Sequence, residues 1–590
     1  MRKTTQVFVL LLLIFAGCNR QANLPAPQLA KPVLPDDDRK LSSAVIENAI
    51  KLVEGQVTRS VCEPTIIDTR KFKTQINRIA PFGGPVKDVG EIRQGEASVP
   101  ALPQLAASGL DVDGNITTEP RIETLSRFPG ISQSIFTPPD PTLAVGPNHI
   151  VEMVNSEMAF LSKTDGTVQF QAFLGNQGTP GFFEDLGADD FVFDPRCVYD
   201  HYVDRFVILA VETITETNEA FLNLAVSDDD DPNGVWFRYR TRAQFEMSGD
   251  ITFADYPSLG FDENGYYVSG NLFGVIDRQF RGLGVRTMDK TPLLNGDPME
   301  FNDLFSTIGF SVQMAQGFDS PDVPLGAFAA TTTEIAIVAI NNPFVGPSIQ
   351  TVNVAVPSFN FNSSVANNAG EFVSIVDARI MNTHVRNGRL YTCHTITLDN
   401  SIRNVVRWYE FDLNGWPNGS QPVLLQSGNI DPGGNVETFF PSIYANQNGS
   451  IAVVYGSSSP SDLISVNIAG RIESDPPGTM SEFEQVDISG STVDGRFGDY
   501  FDSAIDPDDD TTFWVVGETG ESFGWDTIIQ SFAVPVPGDV NCDGVVDLLD
   551  VQPFIEILGS GEFSAKADIN GDGVVNLLDV QPFVDLLSGA

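Results

Sequence analysis

Basic residues and histidine are scarce in this chain. Only 34 Lys and Arg stand against 78 Asp and Glu, with four His, for a formal net charge of −44. So acidic a surface repels phosphate groups, which excludes nucleic acid and an anionic membrane surface as partners. The acidity suits an extracellular protein in a calcium-containing medium, or is a solubility or salt adaptation. Cysteine is scarce as well, five in 590 residues. Cys62, Cys197, Cys393 and Cys542 show no C-x-x-C spacing, so zinc lacks support. A disulfide framework is not expected in a domain this large; Cys197 and Cys393 read as buried thiols and Cys542 as exposed. The histidines, His149, His201, His384 and His394, are scattered, and only the last two are close in sequence. No Gly-rich phosphate loop, G-x-S-x-G or H-E-x-x-H occurs, which leaves cofactor and metalloprotease chemistry without a motif. Beyond the N-terminus no apolar run is long enough to span a bilayer.

What is present begins with a targeting segment. Arg2 and Lys3 precede the apolar run Val7–Phe15, which is too short for a membrane-spanning helix. It ends in Phe15-Ala16-Gly17-Cys18, which resembles a bacterial lipobox, with Phe15 where Leu is usual. The resemblance implies a lipoprotein-type signal peptide over 1–17, lipidation of Cys18, and export to the outer membrane or cell surface, with ordinary secretion as the other outcome. Membrane contact would then be through that lipid alone. Residues 18–125 read as a tether and an irregular N-terminal region. Pro, Ala and charge dominate 19–40. Val45, Ala49 and Val53, flanked by Ile46 and Ile50, predict one short helix over 41–56.

From 126 to 535 short runs rich in Val, Ile, Phe and Tyr alternate with Gly, Asn, Asp and Pro, among them RFVILAVE, FLNLAVS, EIAIVAI and TTFWVVGE. This is a mainly β domain. A phrase recurs in it: an Asp or Pro opener, a strand, a polar turn and a second strand. Examples are PPDPTLAVGPNHIVEMVNS, FDPRCVYDHYVDRFVILAVE, ADYPSLGFDENGYYVSGNLF and FFPSIYANQNGSIAVVYGS. Openers fall near 140, 194, 256, 322, 378, 441 and 500, about 54 to 66 residues apart. That interval fits one four-stranded blade, so the expected fold is a seven-bladed β-propeller, plus or minus one blade. The competing expectation is a pair of β-sandwiches.

The residues PPDPTLAVGPNHIVEMVN, DPRCVYDHYVDRFVILA and AVSDDDDPNGVW make the domain similar to sialidase-like propellers in the broad sense, and to large secreted bacterial propellers of undefined activity. Asp boxes are not matched; Ser227 to Trp236 has the wrong spacing. Sialidase chemistry also needs a Tyr nucleophile and three converging arginines. Arg196, Arg205, Arg379 and Arg496 stand near blade starts, where pairing with carboxylates is the simpler reading. Asp140, Asp255 and Asp499 recur at equivalent openers, which favours a structural turn over catalysis. Asp228–Asp231 reads as a solvated loop.

The clearest chemistry lies in the last fifty or so residues. One phrase occurs twice, with first aspartates Asp539 and Asp568, 29 positions apart. Oxygen side chains fill loop positions 1, 3, 5, 9 and 12: Asp539, Asn541, Asp543, Asp547 and Asp550, then Asp568, Asn570, Asp572, Asn576 and Asp579. The carbonyls of Val545 and Val574 supply position 7, and Gly544 and Gly573 hold position 6. A hard cation such as Ca²⁺ takes six to eight oxygens, and Gly allows the sharp midway turn. Each loop leads into DVQPF and an apolar helix. Pro553 and Pro582 require each helix to start late, at the DVQP step, or to bend there.

The pair resembles a type I dockerin over 537–590. The resemblance implies two bound Ca²⁺ ions, EF-hand-type loops and a cohesin as partner. Positions 10 and 11, often Ser/Thr in cellulosomal dockerins, are Leu548, Leu549, Leu577 and Leu578 here. That points to a different cohesin or to packing of the leucines on the chain's own body. Three functions fit. One is an exported, lipid-anchored propeller that binds or displays a glycan or protein and docks through calcium. Another is a secreted glycoside hydrolase of polysaccharide catabolism, recruited by its dockerin. In the third the calcium loops only stabilise the chain's own fold.

Overall fold

The structure is a computed structural model. It describes residues 49–72, 122–133, 136–189, 191–214, 217–247, 249–319, 323–362, 364–398, 403–480, 482–490, 496–521, 524–541, 545–561, 563–571 and 573–588. The signal segment with Cys18, the tether, and positions Cys542, Asp543, Gly544 and Asp572 of the terminal loops lie outside these.

The body is built from antiparallel meanders. Five are separate sheets, the blades of a β-propeller-like ring. One runs Thr142–Val145, His149–Val154, Glu157–Ser162 and Val168–Phe173; the next runs Val192–Asp200, Arg205–Ile214, Glu219–Ser227 and Val235–Arg242. Later sheets start at Gln313–Met314, Glu437–Ala445 and Asp502–Ile505. A further, twelve-stranded sheet contains two more meanders, starting at Asp250–Phe261 and Ile380–Arg386. These are joined only through the short parallel pairings of Gln316–Gly317. The first strands of successive meanders lie side by side, and Asp502–Ile505 returns to Thr142–Val145, so the ring closes.

Burial on both faces explains the near-continuous apolar runs. In Arg205–Ile214, Val207, Leu209 and Val211 pack towards Tyr266 and Val268 of the next meander. The alternate residues Phe206, Ile208 and Ala210 pack towards Val151 and Phe160 of the preceding sheet. A strand covered on both sides shows no inside-outside alternation. The repeated opener also has a backbone form. Asp140, Asp194, Tyr256 and Phe440 all have φ of +48° to +51°, and each precedes a proline.

The N-terminal arm departs from expectation. Of the helix predicted over 41–56, residues 41–48 lie outside the described part. The remainder forms a strand, Ile50–Lys51, parallel to Phe245–Glu246, then a turn at Glu54–Gly55. The stretch read as irregular contains Val57–Cys62, which adds to the edge strand Met299–Ser306, and Thr65–Asp68, which adds to Val235–Arg242. Unpaired edge N–H and C=O groups offered this segment more hydrogen bonds than a lone short helix could make for itself. The strand Glu123–Ser132 completes the last sheet by pairing with Gly524–Ala533.

Candidate metal centres

The C-terminal module is two copies of one unit. Each loop leads into a helix, α2 (Val551–Ser560) and α3 (Val580–Ser588), numbered after the short α1 (Lys290–Asn295) of the body. The helices meet through Phe554 and Phe583, stacked with ring centroids 4.3 Å apart, over Val540, Ala567 and Val575. Pro553 and Pro582 are each the third residue of their helix. There the missing N–H had no intrahelical partner to lose, so the late start resolves the proline problem.

The position-12 aspartates organise the loops. Asp550 is fully buried; its Oδ1 accepts the Val540 and Asn541 N–H groups at 2.7 and 2.9 Å, and its Oδ2 accepts Asp547 N–H at 2.8 Å. Asp579, also fully buried, repeats this with Asn570 N–H at 3.1 Å and Asn576 N–H at 2.8 Å. Asp539 and Asp568 at position 1 are buried too. Gly573 at position 6 has φ +82° and donates its N–H to Asp568 Oδ2 at 2.8 Å. The described donors in each loop are carboxylate, amide and carbonyl oxygens. The module's only basic residue, Lys566, points to Glu123 of the body at 3.6 Å. Two buried carboxylates in each loop, set among further oxygen donors, fit a hard metal ion.

Leu548, Leu549, Leu577 and Leu578 are 66–78% exposed. The expectation that they pack on the chain's own body is not met. They sit on the outer side of each loop-to-helix step, while Phe554 and Phe583 fill the inner side.

In the propeller, the structure gathers residues that the sequence left scattered. The Arg196 guanidinium lies 3.6 Å over the Tyr500 ring and 5.4 Å from that of Tyr256, and Arg379 lies 4.3 Å over Tyr256. Arg496 forms a two-pronged pair with Asp499 at 2.5 and 2.9 Å. Arg205 stays apart, donating to the Val203 and Asp204 carbonyls. Arg379 likewise pairs with Asp377, at 2.8 and 3.0 Å, so the expected pairing with carboxylates holds for Arg379 and Arg496, while Arg196 lies against tyrosine rings. Tyr256, Tyr500 and Phe440 are at most 3% exposed. Of the recurring acids, Asp140 and Asp499 come together and are joined by Asp194, which sequence reasoning passed over. Its signal was legible: the Asp-Pro of FDPRC stands where PPDPT has its own.

His384 packs with Phe318 and, through that ring, with His201, rather than with His394. Burial lowers the basicity of His201 to a pKa of about 4 and that of His394 to about 3. Asp228, Asp229 and Asp231 accept N–H groups of their own turn, as a solvated loop does. Cys197 and Cys393 are buried free thiols, and Cys62 is a half-buried one. Among the described residues no helix is long and apolar enough to cross a membrane.

Residues 537–582 match the family model of the Dockerin type I domain. No curated protein matches the chain. Similar solved structures include the Cellvibrio cellulosa α-L-arabinanase complexed with arabinohexaose, at 12% identity and TM-score 0.28, covering 57% of this chain and 94% of that one. The Trypanosoma rangeli sialidase shows 9% identity and TM-score 0.31, with 69% and 59% covered. Drosophila Plexin A in complex with Semaphorin 1b shows 10% identity and TM-score 0.30, with 72% and 89% covered. Likenesses this weak carry neither a reaction nor a ligand to this chain.

Proposed function

We propose that this protein is an exported propeller that binds or displays a ligand and docks to a partner through a calcium-dependent dockerin module. In this reading two Ca²⁺ ions sit in EF-hand-type loops. Asp539, Asn541, Asp543, Asp547, Asp550 and the Val545 carbonyl hold one. Asp568, Asn570, Asp572, Asn576, Asp579 and the Val574 carbonyl hold the other. The partner is a cohesin-type module that reads the exposed pairs Leu548–Leu549 and Leu577–Leu578 in place of hydroxyl side chains. Cys18 carries the lipid anchor, the two meanders of the twelve-stranded sheet count as blades for a total of seven, and a glycan is the ligand class in view, linking the protein to polysaccharide use.

The observation that carries the docking role is the pair of loops with wholly buried position-12 aspartates, each presenting two solvent-facing leucines beside it. An apolar patch repeated by the module's own symmetry is suited to recognition. The seven-blade count is supported by the closed order of first strands around the ring. The glycoside hydrolase reading needs an acid pair that substrate can reach, whereas the carboxylates gathered at the openers are 0–3% exposed.

The test uses the full chain against a panel of cohesin modules, with Ca²⁺ and then with chelator. Capture in Ca²⁺ should be lost on chelation, and replacing Leu548, Leu549, Leu577 and Leu578 by Ser should weaken it at least tenfold. A panel with no capture in either condition removes the adaptor role.

A further inference from the structure

The propeller openers bring together a second set of acids. Asp140 and Asp194 are fully buried and Asp499 is 3% exposed, and one oxygen from each lies within 4.8 Å of the others. Hydrogen bonds fix their positions. Asp140 Oδ1 accepts the Asp499 N–H at 2.7 Å, Asp140 Oδ2 accepts from the Asn155 amide at 2.7 Å, and Asp194 Oδ2 accepts the Tyr256 N–H at 3.1 Å. These acids belong to three meanders, those opening at Thr142, Val192 and Asp502, so they meet only when the ring closes.

Acids gathered in this way do not make a site unaided. The second observation is Glu518, on Phe513–Glu521. It is fully buried, and neither of its carboxylate oxygens has a hydrogen-bond partner. It faces the same space: a Cβ on Gly498 would lie 2.8 Å from Glu518 Oε2 and 3.8 Å from Asp140 Oδ1. Only glycine at 498 leaves the two carboxylates that room. Burial and the neighbouring Asp140 push the Glu518 carboxyl upward, and Arg496 opposes this. Arg496 is already engaged with Asp499, and Arg196 lies against Tyr500. Neither arginine hydrogen-bonds Glu518, and a buried carboxylate without a partner is strongly disfavoured.

We propose that Asp140, Asp194, Asp499 and Glu518 bind a hard divalent cation of the Ca²⁺ or Mg²⁺ class at the inner end of the propeller. The donors are all oxygens, as such ions require, with no imidazole or thiolate to recruit a softer metal. The ion locks three meanders and supplies the charge that Glu518 lacks. This site is independent of the terminal loops.

Metal content of the full chain distinguishes the two. After exhaustive chelation and reloading with Ca²⁺ or Mg²⁺, native mass spectrometry should count one divalent ion beyond those carried by the terminal loops. Asp550→Asn with Asp579→Asn should remove the loop ions and leave that one. Glu518→Gln, which keeps shape and volume, should remove it or weaken it at least tenfold, with near-UV circular dichroism unchanged. Asp194→Asn is the second variant, should Glu518→Gln fail to fold. The proposal is overturned if the loop variant holds no ion under either metal, or if Glu518→Gln and Asp194→Asn bind as many ions as tightly as the parent. Loop ions missing from the parent would count against the dockerin reading alone.

Discussion

Glu152 shows how one buried acid can set the pH response of the ring. It lies on His149–Val154, is fully buried, and accepts hydrogen bonds from Ile131 N–H and the Thr527 hydroxyl across the closure. Burial raises its pKa from 4.5 to about 7. A carboxyl whose folded pKa is raised holds its proton more tightly in the folded state, so its contribution falls as pH climbs from about 4.5 through 7. Glu152→Gln keeps an acceptor and removes the titration. Denaturant unfolding should show it matching the parent at pH 5 and exceeding it by about 2 kcal/mol at pH 8. His201 and His394 act at the other end. With folded pKa values of about 4 and 3 they stay neutral, while the unfolded chain protonates them below 6.5, so stability is lost as pH falls through that range. None of this was legible in the sequence. Glu152 stands in HIVEMV as any solvent-facing acid of an alternating strand would, and only the neighbouring closing strand buries it. The Ca²⁺-type loops could be proposed from the sequence because oxygen side chains and a glycine recur twice at one local spacing.

At the scale of elements, the module rests on one aromatic stack. Phe554→Ala or Phe583→Ala removes half of the contact between α2 and α3 and should cost about 3–5 kcal/mol of module stability. Calorimetry should register this together with weaker Ca²⁺ binding, because loop and helix form one unit. Pro553→Ala and Pro582→Ala should each change stability by less than about 1 kcal/mol, since neither proline interrupts a helical hydrogen bond. The repeat made these helices readable, down to their late starts. The N-terminal arm was not readable. The described end of the stretch read as a helical face, Ile50–Lys51, pairs with Phe245–Glu246, and the stretch read as irregular adds to the open edges at Met299–Ser306 and Val235–Arg242, far away in sequence. The meeting of Arg196 and Arg379 over Tyr256 was hidden for the same reason: residues far apart in sequence meet only through the topology of the ring.

At the scale of the whole molecule, the ion pair Lys566–Glu123 ties the body to the C-terminal module, which we propose folds as a unit of its own. Heating in Ca²⁺ should give two transitions by calorimetry. Chelation should abolish the smaller one and shift the larger by an amount that reports the inner cation site. Merged transitions that do not respond to chelation would remove both metal assignments. The mainly β ring was foreshadowed by the recurring openers, four of which share a left-handed residue before proline and so an Asp-Pro or aromatic-Pro signature.

The closing strand has a mechanical consequence. Glu123 and Ala533 face each other at one end of the last sheet, and the module leaves directly after Ala533. Tension on a docked module therefore enters the ring through Gly524–Ala533, a strand laddered on both sides by Phe513–Glu521 and Glu123–Ser132. Two ladders must give way together before the load can extract it. Under the proposed docking, the pull is thus shared between two ladders of the ring rather than borne by one edge strand.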